Sequence, residues 1–208
     1  MQQLITHADD VTRGMEWLAA ECPRFAYAYS LTGDPALRRR KDGFEALLQA
    51  IVSQQVSVAS AAAIWKRLKD ARMTGPRKIK GASEEDLRAL GLSRQKVRYA
   101  KALAAEGINF KSLRDMNSDE VIRILTNVTG IGVWTAEIYA MFSLGHADVF
   151  APGDLALQEA ARHLYDLPER PKERAFREMA MAWSPYRSVA ARGLWAYYHH
   201  IKSRDGVL

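Results

Sequence analysis

The chain is 208 residues long, 48% of them hydrophobic, with a formal net charge of +6. That length and apolar content support a buried core and exclude a disordered polyelectrolyte; the basic surplus fits a polyanionic partner such as nucleic acid or an anionic surface, or serves solubility alone. A single cysteine, Cys22, excludes a disulfide framework, a thiolate zinc site and an iron–sulfur cluster.

Met1 to Ala20 carries Asp9, Asp10, Arg13 and Glu16 and lacks the apolar run of a secretion signal. No segment is long and apolar enough to span a bilayer, so a cytosolic or nuclear setting without a membrane partner is expected. Phe44, Leu47, Leu48, Ile51 and Val52 recur at helical spacing, as do Val58, Ala61, Ala62, Trp65 and Leu68. Ser83 followed by Glu84, Glu85 and Asp86 predicts a helix start, and Gly91 its stop. Ser93 opens a helix that turns Val97, Ala100, Leu103 and Ala104 inward and ends near Gly107. Asn117 with Glu120 three residues on predicts a capping box ahead of Val121, Ile122, Ile124 and Leu125. Val149 to Pro152 reads as a short extended linker. Leu155 to Tyr165, Lys172 to Trp183 and Tyr186 to Ile201 read as three further helices. Two basic groups, Arg38 to Lys41 and the scattered Arg72, Arg77, Lys78 and Lys80, read as solvated faces or loops. No alternating strand pattern and no repeat is present, so the predicted class is all-α. His146, His163, His199 and His200 show no metal-ligand spacing and read as surface or core residues.

The segment from Leu125 to Ala136 joins one amphipathic helix, ending near Val128, to another beginning near Val133. Thr129, Gly130, Ile131 and Gly132 lie between them. Two glycines so spaced permit a tight turn and a bare backbone surface, and the second helix then starts with outward N–H groups able to hold a phosphate. Taken alone, the same pattern fits an ordinary helix–helix turn. Downstream, Pro152-Gly153-Asp154 precedes the apolar start Leu155-Ala156-Leu157, which puts Asp154 in an N-cap position. Asp154 is then either a plain cap or a carboxylate held ionised by the helix dipole, able to stabilise a developing cation.

The hairpin, its second helix and the Pro-Gly-Asp step together resemble the helix-hairpin-helix (HhH-GPD) DNA glycosylase superfamily. Ala50 to Ala59 and Trp183-Ser184-Pro185-Tyr186-Arg187-Ser188, followed by Trp195, are similar to its alkylpurine, 3-methyladenine II branch, in a compact form without the N-terminal β-domain of longer members. The resemblance runs from about Phe44 to Trp195. It implies two helical subdomains with a cleft between them. The expected segments are residues 1–43, packing with the C-terminal subdomain, a central subdomain 44–153 with the hairpin, and a C-terminal subdomain 154–208.

The resemblance further implies a monofunctional glycosylase that flips an alkylated base, of the 3-methyladenine or 7-methylguanine type, out of damaged double-stranded DNA and hydrolyses its glycosidic bond. Asp154 falls on the family's catalytic aspartate. Trp134 stands where strand-cutting relatives carry a lysine, so no Schiff base is expected there. Trp134 and Tyr186 match base-pocket positions, and Ile138 replaces a tyrosine of the family's best-known member; for either aromatic, core packing is the rival reading. Gln54 and Gln55 match the loop that fills the gap left by the flipped base, with Gln55 a polar residue where an apolar wedge is usual. Thr129, Gly130, Ile131, Gly132 and Thr135 are the expected phosphate contacts. The main-chain carbonyls of Thr126, Val128 and Ile131 match a Na⁺ or K⁺ site; no other cofactor and no iron–sulfur cluster is implied. A monomer is expected, in the bacterial cytoplasm on the nucleoid or in a nucleus. The rival functions are a non-catalytic helix-hairpin-helix DNA-binding module and a glycosylase for another lesion, such as a deaminated base.

Overall fold

The computed structural model describes residues 3–204. Among them the regular structure is helical: α1 (Ala8–Glu21), α2 (Pro23–Thr32), α3 (Phe44–Ser53), α4 (Val58–Asp70), α5 (Pro76–Gly81), α6 (Glu84–Ala89), α7 (Arg94–Ala105), α8 (Ser118–Thr126), α9 (Val133–Tyr139), α10 (Leu155–Leu164), α11 (Glu173–Met179) and α12 (Arg187–Arg204). The only β pairing among the described residues is an isolated antiparallel bridge, Leu4 with His146.

Contacts divide the chain into two compact units. One comprises the segment up to Arg39 together with everything from Ala140 onward; the other is Arg40–Tyr139. The boundary after the hairpin therefore falls at Tyr139, and residues 140–153, expected with the central subdomain, pack with the terminal segments. The physical reason is local. Ser188 N–H donates to the Ala147 carbonyl at 2.9 Å, and Asp148 takes both Arg187 Nε (2.6 Å) and Ser184 Oγ (2.9 Å). Asp148 is held below the ordinary carboxylate range by these donors, against the opposing effect of its burial.

In the unit containing both chain ends, α1 buries Val11, Gly14, Met15 and Leu18 on one face, the spacing of an amphipathic helix. A Cβ at Gly14 would lie 2.8 Å from Val189 and 3.0 Å from Tyr186, so this position on α1 must be bare for α12 to approach. The linker Val149 to Ala151 is fully buried. Phe150 meets Phe176 and Trp183 edge-on, with ring centroids 5.0 and 5.2 Å apart, and Phe25 meets Trp183 at 5.3 Å. An extended linker anchored this way fixes where α10 begins. Ala140–Leu144, directly after α9, forms a π turn. Arg192, 2% exposed, donates to the Met141 carbonyl (3.3 Å) and to the Ser188 carbonyl (2.8 Å), and its guanidinium stands 4.7 Å over the Phe142 ring. Burial pulls the pKa of this guanidinium down to about 10.

In the Arg40–Tyr139 unit, Leu47, Leu48, Ile51 and Val52 of α3 pack in a core with Leu68, Ile79, Leu87, Val97, Leu103, Val121 and Leu125. Ser57, Ser83, Ser93 and Asn117 each accept an N–H bond at a helix start, as their side chains suit. Pro76 at the first position sets α5 within the basic stretch; only Ile79 of it is buried, leaving Arg77, Lys78 and Lys80 outward.

Candidate active site

The hairpin turn lies between α8 and α9. Gly130 adopts φ +97°, and a Cβ there would lie 2.2 Å from the Tyr99 ring on α7. Both the left-handed backbone and the stacked ring require glycine. Gln54 closes the turn from the other side, its Nε2 donating to the Gly130 carbonyl at 2.9 Å. Gly132 differs: a Cβ there would meet nothing within 4 Å, and its carbonyl accepts the first helical bond, from Ala136 N–H at 3.1 Å. Gly132 is therefore the N-cap of α9, and it leaves the backbone start of that helix bare.

These residues gather around an open concavity of about 630 Å³ lined by Ser53, Gln54, Gln55, Gln95, Tyr99 and residues 130–132 and 134. Gln55 is exposed and sits in the left-handed region at φ +55°; Gln54, by contrast, has its amide committed to the hairpin. Trp134 is 46% exposed, which removes core packing as its role. Thr129 and Gly132 are exposed, whereas Ile131 and Thr135 are buried. Thr135 is expected among the phosphate contacts, but its side chain is buried, which leaves its main chain for such a contact. Ile138 is half-buried.

Sequence reasoning gave no role to Gln95, Tyr99 or Lys96. Gln95 Nε2 donates to Tyr99 Oη at 2.6 Å, bracing the ring under Gly130. Lys96 is 7% exposed and donates from Nζ to the Val52 carbonyl at 2.7 Å, in the last turn of α3 just before Gln54. Burial lowers its pKa. Its cation complements the negative end of α3. The only available signal was its place beside Val97 and Ala100 on the inward face of α7.

In the other unit, Asp154 caps α10. Its Oδ1 accepts from Ala156 N–H at 3.0 Å and from Leu157 N–H at 3.1 Å. Trp195 on α12 donates from Nε1 to the same oxygen at 3.2 Å. Tyr186 is half-buried; its ring lies 5.5 Å from that of Trp17, and its Oη accepts from Gln3 at 3.1 Å. Trp17 has no helical-period signal that distinguishes it from a packing residue.

Among the described residues, no three His, Cys, Asp or Glu side chains come together as a metal site. His163 lies at the surface against Glu159 (3.2 Å), and His146 is buried, with its pKa pulled down to about 4 by burial and by the Arg39 charge.

Residues 48–185 match the HhH-GPD superfamily of base excision DNA repair proteins. The chain is 32% identical over 165 residues to DNA-3-methyladenine glycosylase 1 of Schizosaccharomyces pombe, a match covering 75% of this chain and 72% of that protein. Its structure is similar to a DNA-3-methyladenine glycosidase from Bacillus halodurans, with a TM-score of 0.83, 30% identity, and coverage of 91% of each chain. It is also similar to the S. pombe 3-methyladenine DNA glycosylase solved with abasic DNA, with a TM-score of 0.77 and 28% identity, covering 88% of this chain and 95% of that one. The chain belongs to the HhH-GPD superfamily of base excision DNA repair proteins.

Proposed function

We propose that this protein is a monofunctional DNA glycosylase that removes alkylated bases, of the 3-methyladenine and 7-methylguanine type, from double-stranded DNA and leaves an abasic site. The observation that carries the reading is the Asp154 carboxylate, which caps α10 at the family's Pro-Gly-Asp step and is gripped by donors from two elements. The names of the relatives supply the substrate class.

Alkylation at N3 or N7 makes the purine a cationic leaving group. The C1′–N bond breaks with its electron pair passing to the base, which departs neutral, and the sugar becomes an oxocarbenium ion. Asp154 stabilises that cation from its place at the start of α10. Water adds to C1′ and loses its proton to solvent. Trp134 offers no amine, so the chemistry stops at the abasic site. Its exposed ring suits stacking on a cationic purine. The bare start of α9 at Gly132 suits a DNA phosphate, and Gln55 suits the space a flipped base vacates.

The hairpin also bears on the expected monovalent ion. Main-chain carbonyls are hard oxygen donors, and that of Val128 accepts only one backbone bond in the turn, from Ile131 N–H at 3.0 Å, which leaves a second lone pair. The carbonyls of Thr126, Val128 and Ile131 are the donors that would hold Na⁺ or K⁺, and such an ion would supply positive charge towards a phosphate.

Single-turnover base release from methylated duplex DNA tests the reading, with Asp154→Asn alongside. Free 3-methyladenine or 7-methylguanine from the wild type, an uncut abasic strand, and near-silence from the variant are the expected results. Salt-sensitive duplex binding without release of any alkylated base would instead mark a binding module or another lesion specificity.

A further inference from the structure

We infer that Trp195 is a positioning residue for the reaction, fixing the orientation of the Asp154 carboxylate through its indole N–H. This inference rests on the reading of Asp154 as the catalytic carboxylate.

An N-cap aspartate needs only the backbone N–H groups of its own helix, and Asp154 has two of them, from Ala156 and Leu157. The Trp195 bond is superfluous to capping. It comes from α12, 41 positions away, and reaches Oδ1 at 3.2 Å. All three of these donors converge on the one oxygen. Turning the carboxylate so that no oxygen stands in this position would break every one of them, and the indole donor comes from an element other than α10.

Trp195 is also held firmly enough to act as a reference point. Its ring lies 5.7 Å from that of Phe142 in the π turn, tilted by 32°. Phe142 in turn lies under the buried Arg192 guanidinium, which hydrogen-bonds the same π turn at the Met141 carbonyl. A tryptophan is donor-only at its nitrogen, so Oδ1 of Asp154 is the acceptor in this contact. The arrangement is that of a supporting residue that locks a reacting group's rotamer. Its expected signature is a loss in the chemical step with ground-state DNA binding intact.

Trp195→Phe removes the N–H and keeps a ring to pack on Phe142. With enzyme in saturating excess over a methylated duplex, the single-turnover rate should fall about ten-fold, the value of one hydrogen bond to a charged group. The half-saturating enzyme concentration should stay at the wild-type value. In an Asp154→Asn background the same substitution should cost nothing further, whereas a purely structural role would subtract equally in both backgrounds. An activity-independent readout accompanies the kinetics: the Trp195 indole N–H resonance, assigned by its loss in Trp195→Phe, should move in Asp154→Ala. A wild-type rate in Trp195→Phe, an equal loss in the Asp154→Asn background, or an unmoved indole resonance would overturn the inference. If Trp195→Phe is normal while Asp154→Asn is inactive, Trp195 alone loses its role. If Asp154→Asn itself releases base at the wild-type rate, the catalytic reading of Asp154 fails, and the positioning role fails with it.

Discussion

Helices α9 and α10 begin in opposite ways, although both starts carry the same unsatisfied N–H groups. At α9 the N-cap is Gly132, with open space where a side chain would be. At α10 the N-cap is Asp154, whose carboxylate occupies the N–H groups itself. The bare start keeps its donors for an external anion. The filled start spends them on holding one internal charge in place. The supports differ accordingly. The hairpin is braced through its backbone, by the Tyr99 ring under Gly130 and the Gln54 amide on the Gly130 carbonyl, whereas Asp154 is braced at its side-chain Oδ1 by Trp195. The choice of N-cap residue thus leaves one helix start bare and fills the other with a carboxylate, the contrast on which the proposed binding and chemical roles rest.

Substitutions at the two helix starts test this difference. The largest effect is expected at the filled start. Asp154→Asn keeps the cap's shape and an acceptor oxygen but removes the charge, so the single-turnover rate should fall by about 100- to 1000-fold, the range seen when one transition-state stabiliser is lost. Duplex affinity and the melting temperature should stay close to wild type; a matching loss of affinity would mean that Asp154 serves binding rather than chemistry.

Next in size is Gly130→Ala. The methyl group would have to displace the Tyr99 ring and occupy a left-handed backbone, so a destabilisation of at least about 2 kcal/mol is expected in urea unfolding. A variant as stable as wild type would show that the brace under the hairpin yields freely.

Trp134→Ala should leave the fold nearly unperturbed, since the ring is exposed. Release of cationic alkylated purines should slow more than release of neutral hypoxanthine, by the equivalent of about 0.5–2 kcal/mol for one cation–π contact. Equal losses on both substrates would leave the ring as a shape contact without electrostatic selectivity.

The smallest effect is expected at Gly132→Ala. Open space around the position predicts a stability change within about 0.5 kcal/mol. Duplex binding should weaken about two- to five-fold, because a methyl group then stands over the bare helix start. Unchanged affinity would remove that start from the DNA contact and undo the contrast with α10.

Much of this was legible in the chain itself. The apolar period of α3, α4 and α7, the serine and asparagine caps, the two hairpin glycines and the N-cap place of Asp154 are all local patterns, because a helix repeats every few residues and its ends demand particular side chains. The exposure of Trp134 and the burial of Thr135, one residue apart, were not legible, since both positions tolerate either side of α9 until the unit packs. Nor was the π turn at Ala140–Leu144, whose carbonyl at Met141 is met by Arg192 from α12.

Local sequence pattern, then, is enough to specify the set of helices and the chemical identity of their caps. Packing alone selects the distant residue that braces each helix end or turn: Tyr99 beneath Gly130, Lys96 on the Val52 carbonyl, Gln54 on the Gly130 carbonyl and Trp195 on Asp154. Three of these four contacts are made to main chain, a surface that every residue presents alike. No residue type in the sequence marks such an acceptor; only the packing of one helix against another brings a particular ring, amide or ammonium group within reach of it.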